Sequence, residues 1–408
     1  MITRITIDRL GHQGDGVAVL DGQEIYVPFT LPGELVEGDI SGGRMLSARI
    51  VEPAAERIKP ACRHFKTCGG CVTQHIDDKI LAKWKQESIR ETLARNQLTP
   101  EFRPLQTSPA QSRRRAVFTA RRTKKGAMIG FHGRASDTLI DLQECALIRP
   151  EILSALEGLK MLVRLGASRK GEIRISATCT LGGLDIEVRD AKPLEPAQLV
   201  EVSTIAQKEH YARVVWNDDV ILEIQPPLQE FGKARILPPP GAFLQATLEG
   251  EAALVAAVRE ICHDSKRVLD LFAGCGTFSL PLAEQAEVHA VEGEGEMLAA
   301  LDTGWRQAQG LKGITTQTRD LFRRPLLLDE FKGFDAAVID PPRAGAKTQV
   351  QELASSGIKK IAFVSCNPAT FVRDAEILIA GGYSLDWVQV IDQFRWSAHS
   401  ELVAQFSL

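Results

Sequence analysis

The chain has 408 residues, 44% hydrophobic and 25% charged, with a net charge of −3 and eight cysteines. That length asks for two or three domains, each able to bury a core. No apolar run approaches the roughly 20 residues that span a bilayer, Met1 to Leu10 carries no leader-like apolar stretch, and eight cysteines at this length are not a disulfide scaffold, so a cytoplasmic protein is expected.

Residues 1 to about 55 read as short strands between glycine turns. Ile2 to Ile7 alternates with period two, and Ile25-Tyr26-Val27-Pro28 forms another strand. So many short strands in so little chain suggest a small β-barrel. A cysteine-rich stretch follows, Cys62-x5-Cys68-x2-Cys71. Asp77 to Asn96 then predicts a helix with Ile80, Leu81, Trp84, Ile89 and Leu93 on one side.

From about 101 to 230, strands such as Ile173 to Ala177 and Leu184 to Val188 mix with helices. Between Phe102 and Ser136 there are nine Lys or Arg residues and no acid. With Phe118 and Phe131 interleaved, this stretch suits a surface that tracks phosphates, against the plainer reading of a solvated charged face.

From about 243 onward, apolar strands alternate with helical stretches: Arg267 to Phe272, Glu287 to Glu292, Phe334 to Asp340, Lys360 to Ser365 and Leu385 to Ile391. Buried strands separated by helices mean a parallel doubly wound sheet. Asp270-Leu271-Phe272-Ala273-Gly274-Cys275-Gly276-Thr277 runs from a strand into a glycine turn, where the backbone can pass close to a ligand. Ser279 stands where a dinucleotide fingerprint needs its third glycine. Glu292 ends the next strand and suits two ribose hydroxyls; Asp320, after the strand beyond, suits an adenine amine. An acid-Gly-x-Gly loop of this kind points to a class I methyltransferase more than to a dehydrogenase.

Two further turns carry chemistry. Asp340-Pro341-Pro342-Arg343 follows an apolar strand, at the carboxyl end where open α/β sheets bind ligands. Amino-group methyltransferases carry similar turns, with an aromatic residue where Arg343 stands. Ser365-Cys366-Asn367-Pro368 follows the next strand and places a thiol at the same edge. A thiolate adding to carbon 6 of uracil makes carbon 5 nucleophilic, and a base must later remove the carbon 5 proton. The thiol therefore needs a lowered pKa or an adjacent base. Glu401, in His399-Ser400-Glu401, is the base candidate and His399 its rival.

Together these motifs resemble the RNA uracil-5 methyltransferase family over nearly the whole chain. The resemblance implies a Rossmann-like class I methyltransferase domain (235–408). Before it come a TRAM-like, OB-like RNA-binding barrel (1–55) and a central α+β domain carrying an iron–sulfur site (56–234). It makes Cys366 the nucleophile, Glu401 the base, and Asp340 a contact of cofactor and target base. It makes Gln245, Phe272, Gly274, Thr277, Glu292 and Asp320 contacts of S-adenosylmethionine. Thr247 and Thr277 depart from the asparagines that family members can carry. Four thiolates at these spacings hold zinc or a [4Fe–4S] cluster equally well; the resemblance favours the cluster, on Cys62, Cys68, Cys71 and Cys145. Cys179, Cys262 and Cys275 are read as packing residues. The implied partner is RNA, 23S ribosomal RNA first and transfer RNA second, bound by a monomer away from any membrane.

Overall fold

The computed structural model describes residues 2–408. The C-terminal half is built on an eight-stranded sheet. Its order is Ile314–Thr318, Glu287–Glu292, Arg267–Leu271, Ala336–Ile339, Lys360–Ser365, Glu401–Ser407, Ser384–Asp392 and Glu101–Thr107. All neighbours are parallel except Glu401–Ser407, which runs antiparallel to both of its own. The central strands are buried on both faces, as their continuous apolar sequences require. The strand order reverses between Arg267–Leu271 and Ala336–Ile339, which opens a crevice at their carboxyl ends.

The eighth strand comes from far upstream. Glu101–Thr107 lies within the span that the sequence reading assigns to the central domain, yet it pairs with Ser384–Asp392 at the sheet edge. An edge position tolerates Pro104. The preceding helix, Asp78–Arg95, packs on the same sheet through Ile89 and Leu93, beside the helix Pro368–Ala380. Asp77 caps it, accepting hydrogen bonds from the backbone N–H groups of Lys79 and Ile80. Its buried face is Leu81, Lys85, Ile89 and Leu93. Ile80, expected on that face, is exposed, because the stripe follows the i, i+4 ridge through Lys85.

Upstream, two three-stranded antiparallel sheets share an apolar core of Ile5, Ile7, Ala18, Ile25, Val27, Val36 and Met45. The middle of the chain forms a seven-stranded sheet that includes Arg115–Arg122, Ile173–Thr180 and Gly183–Arg189, covered by the helices Leu156–Gly166 and Pro196–Lys208. Among the described residues no helix is long and apolar enough to cross a membrane.

Candidate active site and thiol cavity

A cavity of about 610 Å³ opens at the carboxyl ends of the central strands. Cys366 enters it one residue past Lys360–Ser365, Asp340 one residue past Ala336–Ile339, and Glu401 at the start of the antiparallel strand. Three residues that are 26 to 61 positions apart in sequence thus meet because sheet register puts their strand ends side by side. Gln245, Phe272, Gly274, Glu292 and Asp320 line the same cavity. Thr277 is not among the lining residues; it lies two positions before the short helix Ser279–Leu282.

The glycine turn is shaped for a close approach. Phe272 holds φ +64°, a left-handed value that is strained for an aromatic residue. Gly274 and Gly276 follow at +55° and +92°, and a Cβ on Gly276 would lie 2.8 Å from Leu301 Cδ1. The turn is tied down by Glu292, whose Oε2 accepts the Gly274 N–H at 3.0 Å and whose Oε1 accepts the Gly293 N–H at 2.6 Å. Phe272 and Phe322 stand with ring centroids 5.5 Å apart on the cavity wall, so an aromatic ligand face finds an apolar surface there.

Electrostatically the site holds its protons tightly. Burial, with the nearby Asp270 carboxylate adding to it, pushes Asp340 up to about 7. Burial and the Asp340 charge push Glu401 up to about 8, with a hydrogen bond from Gln393 pulling the other way. The Cys366 thiol is pushed up to about 11 by burial and by the charges of Glu401 and Asp340, against the pull of Arg343. The thiol pKa is therefore not lowered, but two carboxylates stand beside it to take its proton. His399 also lines the cavity, and burial with the Arg343 and Lys85 charges holds its pKa below the ordinary imidazole value.

Gln393, which sequence reasoning misses, connects these groups. Its Nε2 donates to Gln245 Oε1 at 2.6 Å, and its Oε1 accepts the Ala246 N–H at 2.7 Å. Gln245 Nε2 in turn reaches Asp340 Oδ2 at 3.4 Å. A lone glutamine after a strand gives no signal of this; the role exists only once four distant segments converge.

A second cavity, of about 480 Å³, adjoins the first and shares Phe243, Phe394 and His399 with it. Cys62, Cys68, Cys71 and Cys145 all line it, with Arg113 and Arg115. Backbone N–H groups point at two of the sulfurs, Gly70 to Cys68 and Leu147 to Cys145, each at 3.4 Å. Among the described residues no three His, Cys, Asp or Glu side chains converge closely enough to hold a single metal ion. The remaining cysteines are apart from this set. Cys262 and Cys275 are core residues, and Cys179 packs beside the central core.

The basic stretch divides. Arg114 is buried in an ion pair with Glu251, Arg103 is paired with Glu260, and Arg134 with Asp15. All three are engaged in ion pairs within the fold, Arg114 fully buried and the other two partly exposed. Arg122, Lys124 and Lys125 remain exposed at one strand end.

The sequence model of tRNA (uracil-5-)-methyltransferases matches residues 307–405, the segment that carries Asp340, Cys366 and Glu401. An uncharacterized RNA methyltransferase of Brucella suis is 44% identical over 401 residues, covering 98% of this chain and 97% of that one. The chain belongs to the RNA uracil-5 methyltransferase family. A more distant relative of this methyltransferase, the 23S rRNA (uracil(1939)-C(5))-methyltransferase of Vibrio vulnificus, is 29% identical over 426 residues, covering 99% of this chain and 95% of its own. The crystal structure of the Pyrococcus abyssi tRNA (uracil-54, C5)-methyltransferase with S-adenosyl-L-homocysteine matches the enzyme's fold. Its TM-score is 0.78 at 22% identity, with 99% of each chain covered. The class I methyltransferase sheet is common to both.

Proposed function

We propose that the enzyme methylates carbon 5 of a uracil in 23S ribosomal RNA, with Cys366 as nucleophile and Glu401 as base. The observation that carries this reading is the meeting of Cys366, Asp340 and Glu401 in one cavity with the glycine turn. S-adenosylmethionine supplies the electrophilic methyl group and a positive charge, and the cavity suits it through the Glu292 and Asp320 carboxylates and the Phe272–Phe322 wall.

Cys366 loses its proton to a neighbouring carboxylate, and its sulfur bonds to carbon 6 of the uracil. The carbon 5–carbon 6 π electrons move toward the carbonyl at carbon 4, making an enolate. Carbon 5 would then take the methyl group from the sulfonium, whose sulfur–methyl bond breaks to leave neutral S-adenosylhomocysteine. The Glu401 carboxylate removes the carbon 5 proton; the double bond re-forms and the carbon 6–sulfur bond breaks, returning the thiolate. A general base near neutrality is what a carboxyl raised to about 8 provides. The target base must leave its stack to reach Cys366.

The four thiols are read as ligands of a [4Fe–4S] cluster. A single zinc ion, with sulfurs at ~2.3 Å, needs four converged thiolates; a cubane carries its ligands at separate corners and suits cysteines spread around a cavity. Methyl transfer needs no electron, so the cluster is read as structural or RNA-contacting. The N-terminal β-sheets, as a TRAM-like barrel, and Arg122, Lys124 and Lys125 would extend the RNA contact, and the enzyme would work as a monomer.

RNA carrying 5-fluorouridine tests the mechanism, since fluorine cannot leave as a cation. A denaturation-stable enzyme–RNA adduct is expected; its absence, or its survival in Cys366→Ser, overturns the reading. The Vibrio vulnificus relative favours ribosomal RNA, and the tRNA-named family model and the Pyrococcus abyssi structure favour the alternative. Labelled methyl transfer to unmodified 23S and tRNA transcripts decides between them.

A further inference from the structure

Lys85 is a buried cation in the middle of an apolar helix face, only 2% exposed. Its partners are all on one segment more than 300 residues away. Nζ donates to Asp392 Oδ1 at 2.6 Å, to the Phe394 carbonyl at 3.1 Å and to the His399 carbonyl at 3.1 Å. Asp392 ends the strand Ser384–Asp392, and Glu401 begins the next. The three bonds therefore grip both ends of the loop between them, residues 393 to 400.

That loop builds one side of the catalytic cavity. Phe394 and His399 line it, Gln393 holds Gln245, and Glu401 is the first residue beyond. The loop has little regular structure of its own. Trp396 sits at φ +60°, a strained value for so large a side chain, and its buried indole Nε1 has no hydrogen-bond partner. A loop in that state needs bonds from outside to stay in one conformation. The Trp396 carbonyl accepts from the Val72 N–H at 2.8 Å, and Arg395 donates to the Ser108 carbonyl at 3.1 Å. The pairing of Ile391 with Glu401 closes the base of the loop, and above it Lys85 is the side chain that bonds near both ends.

We propose that Lys85 is a positioning residue for methyl transfer: it braces the 393–400 loop above the Ile391–Glu401 pairing, so that the Glu401 side chain and Gln393 stay aimed at Cys366 and Asp340. The inference rests on the reading of Glu401 as the base. It assigns Lys85 no contact with RNA or with the methyl donor. A misplacement of about 1 Å at a reacting group can lower a rate by about 100-fold, so loosening the loop acts on the step that uses Glu401.

The test compares Lys85→Met, the double variant Lys85→Met with Asp392→Asn, Lys85→Arg and Glu401→Gln. The double variant leaves no unpaired charge in the protein interior. Each is measured for cooperative thermal unfolding, S-adenosylhomocysteine affinity, kcat and KM for uridine RNA, and methylated enzyme–RNA adduct on denaturing gels. For the double variant we expect a folded protein, S-adenosylhomocysteine affinity within twofold of the parent, a kcat lower by about 10- to 100-fold and a nearly unchanged KM. Adduct should accumulate on ordinary uridine RNA, as in Glu401→Gln, because proton removal stalls. Lys85→Arg, which keeps charge and donors, should recover part of kcat.

A kcat within twofold of the parent, or a loss of kcat without adduct while Glu401→Gln does accumulate it, overturns the proposal. So does failure of both Met-containing variants to fold, which would make Lys85 a residue of the fold alone. If Glu401→Gln itself gives no adduct, the base assignment fails instead, and the two failures are told apart.

Discussion

The two adjoining cavities are built in opposite ways. In the catalytic cavity, Cys366, Asp340 and Glu401 each stand at or next to a strand end, and the ladder bonds of Lys360–Ser365 with Glu401–Ser407 fix their relative positions. In the thiol cavity, the cysteines lie in loops. Cys62 to Cys71 is a run of turns, Cys145 sits in a second irregular segment, and the two are joined to the rest by isolated bridges such as Cys68 with Gly133. The first arrangement is preorganised before anything binds. The second is held by turn bonds, such as the Cys68 N–H to the His64 carbonyl, and by isolated bridges rather than by a ladder, so whatever occupies it contributes directly to its order.

The sharpest test of this contrast is at Cys366. Cys366→Ala should lower single-turnover methylation by on the order of 1,000-fold or more, while calorimetry finds S-adenosylhomocysteine binding intact. Loss of both together would mean that the catalytic cavity is not preorganised.

Glu401→Gln should lower turnover by roughly 100- to 10,000-fold and also change the pH dependence of stability. Asp340 and Glu401 carry pKa values raised to about 7 and about 8. Their neutral forms favour the folded state; that contribution is complete below the unfolded carboxylate range and is lost as pH rises through 7 to 8. The parent should therefore lose stability between pH 5 and 9. Glu401→Gln removes the larger part, on the order of 4 kcal/mol at the alkaline end. Denaturant titrations across that range measure it, and parallel curves for the two proteins would refute it.

At the thiol cavity the order of effects should invert. Cys145→Ala should bleach any iron–sulfur absorbance and lower the melting temperature by several degrees, with a smaller fall in kcat than either catalytic variant. Absorbance near 400 nm, roughly typical of such clusters, and thermal scans follow both. A colourless parent containing zinc would redirect the assignment.

Smallest of all should be Thr277→Val. Thr277 lies outside the cavity, so donor affinity should move by less than about 0.5 kcal/mol, a twofold change that calorimetry resolves.

Much of this was legible in the sequence, for physical reasons that differ by element. The central strands could be read because burial on both faces writes them as apolar runs, such as Ala336–Ile339 and Lys360–Ser365. The helix Asp78–Arg95 is legible from its apolar stripe, of which Leu81, Ile89 and Leu93 are buried. Lys85 was not read because a lysine between Leu81 and Ile89 looks like a solvated position; only the spacing of four on either side marks it as inward. Glu101–Thr107 was not read because it carries Pro104 and alternating charge, and because its partner strand is remote. Gln393 could not be read at all, since its meaning is set by where Gln245 and Glu401 arrive.

The upstream origin of that edge strand has a consequence during synthesis. Gln389 Nε2 bonds the Pro104 carbonyl at 3.0 Å across 285 residues. At ribosomal speeds of about 5–20 residues per second, the segment Glu101–Thr107 waits on the order of tens of seconds outside the ribosome before its partner exists. A catalytic half started at residue 235 would leave the Ser384–Asp392 edge uncovered and ready to pair with another chain, so a split of this enzyme into working fragments has to keep residues 78–107 with the carboxyl-terminal piece.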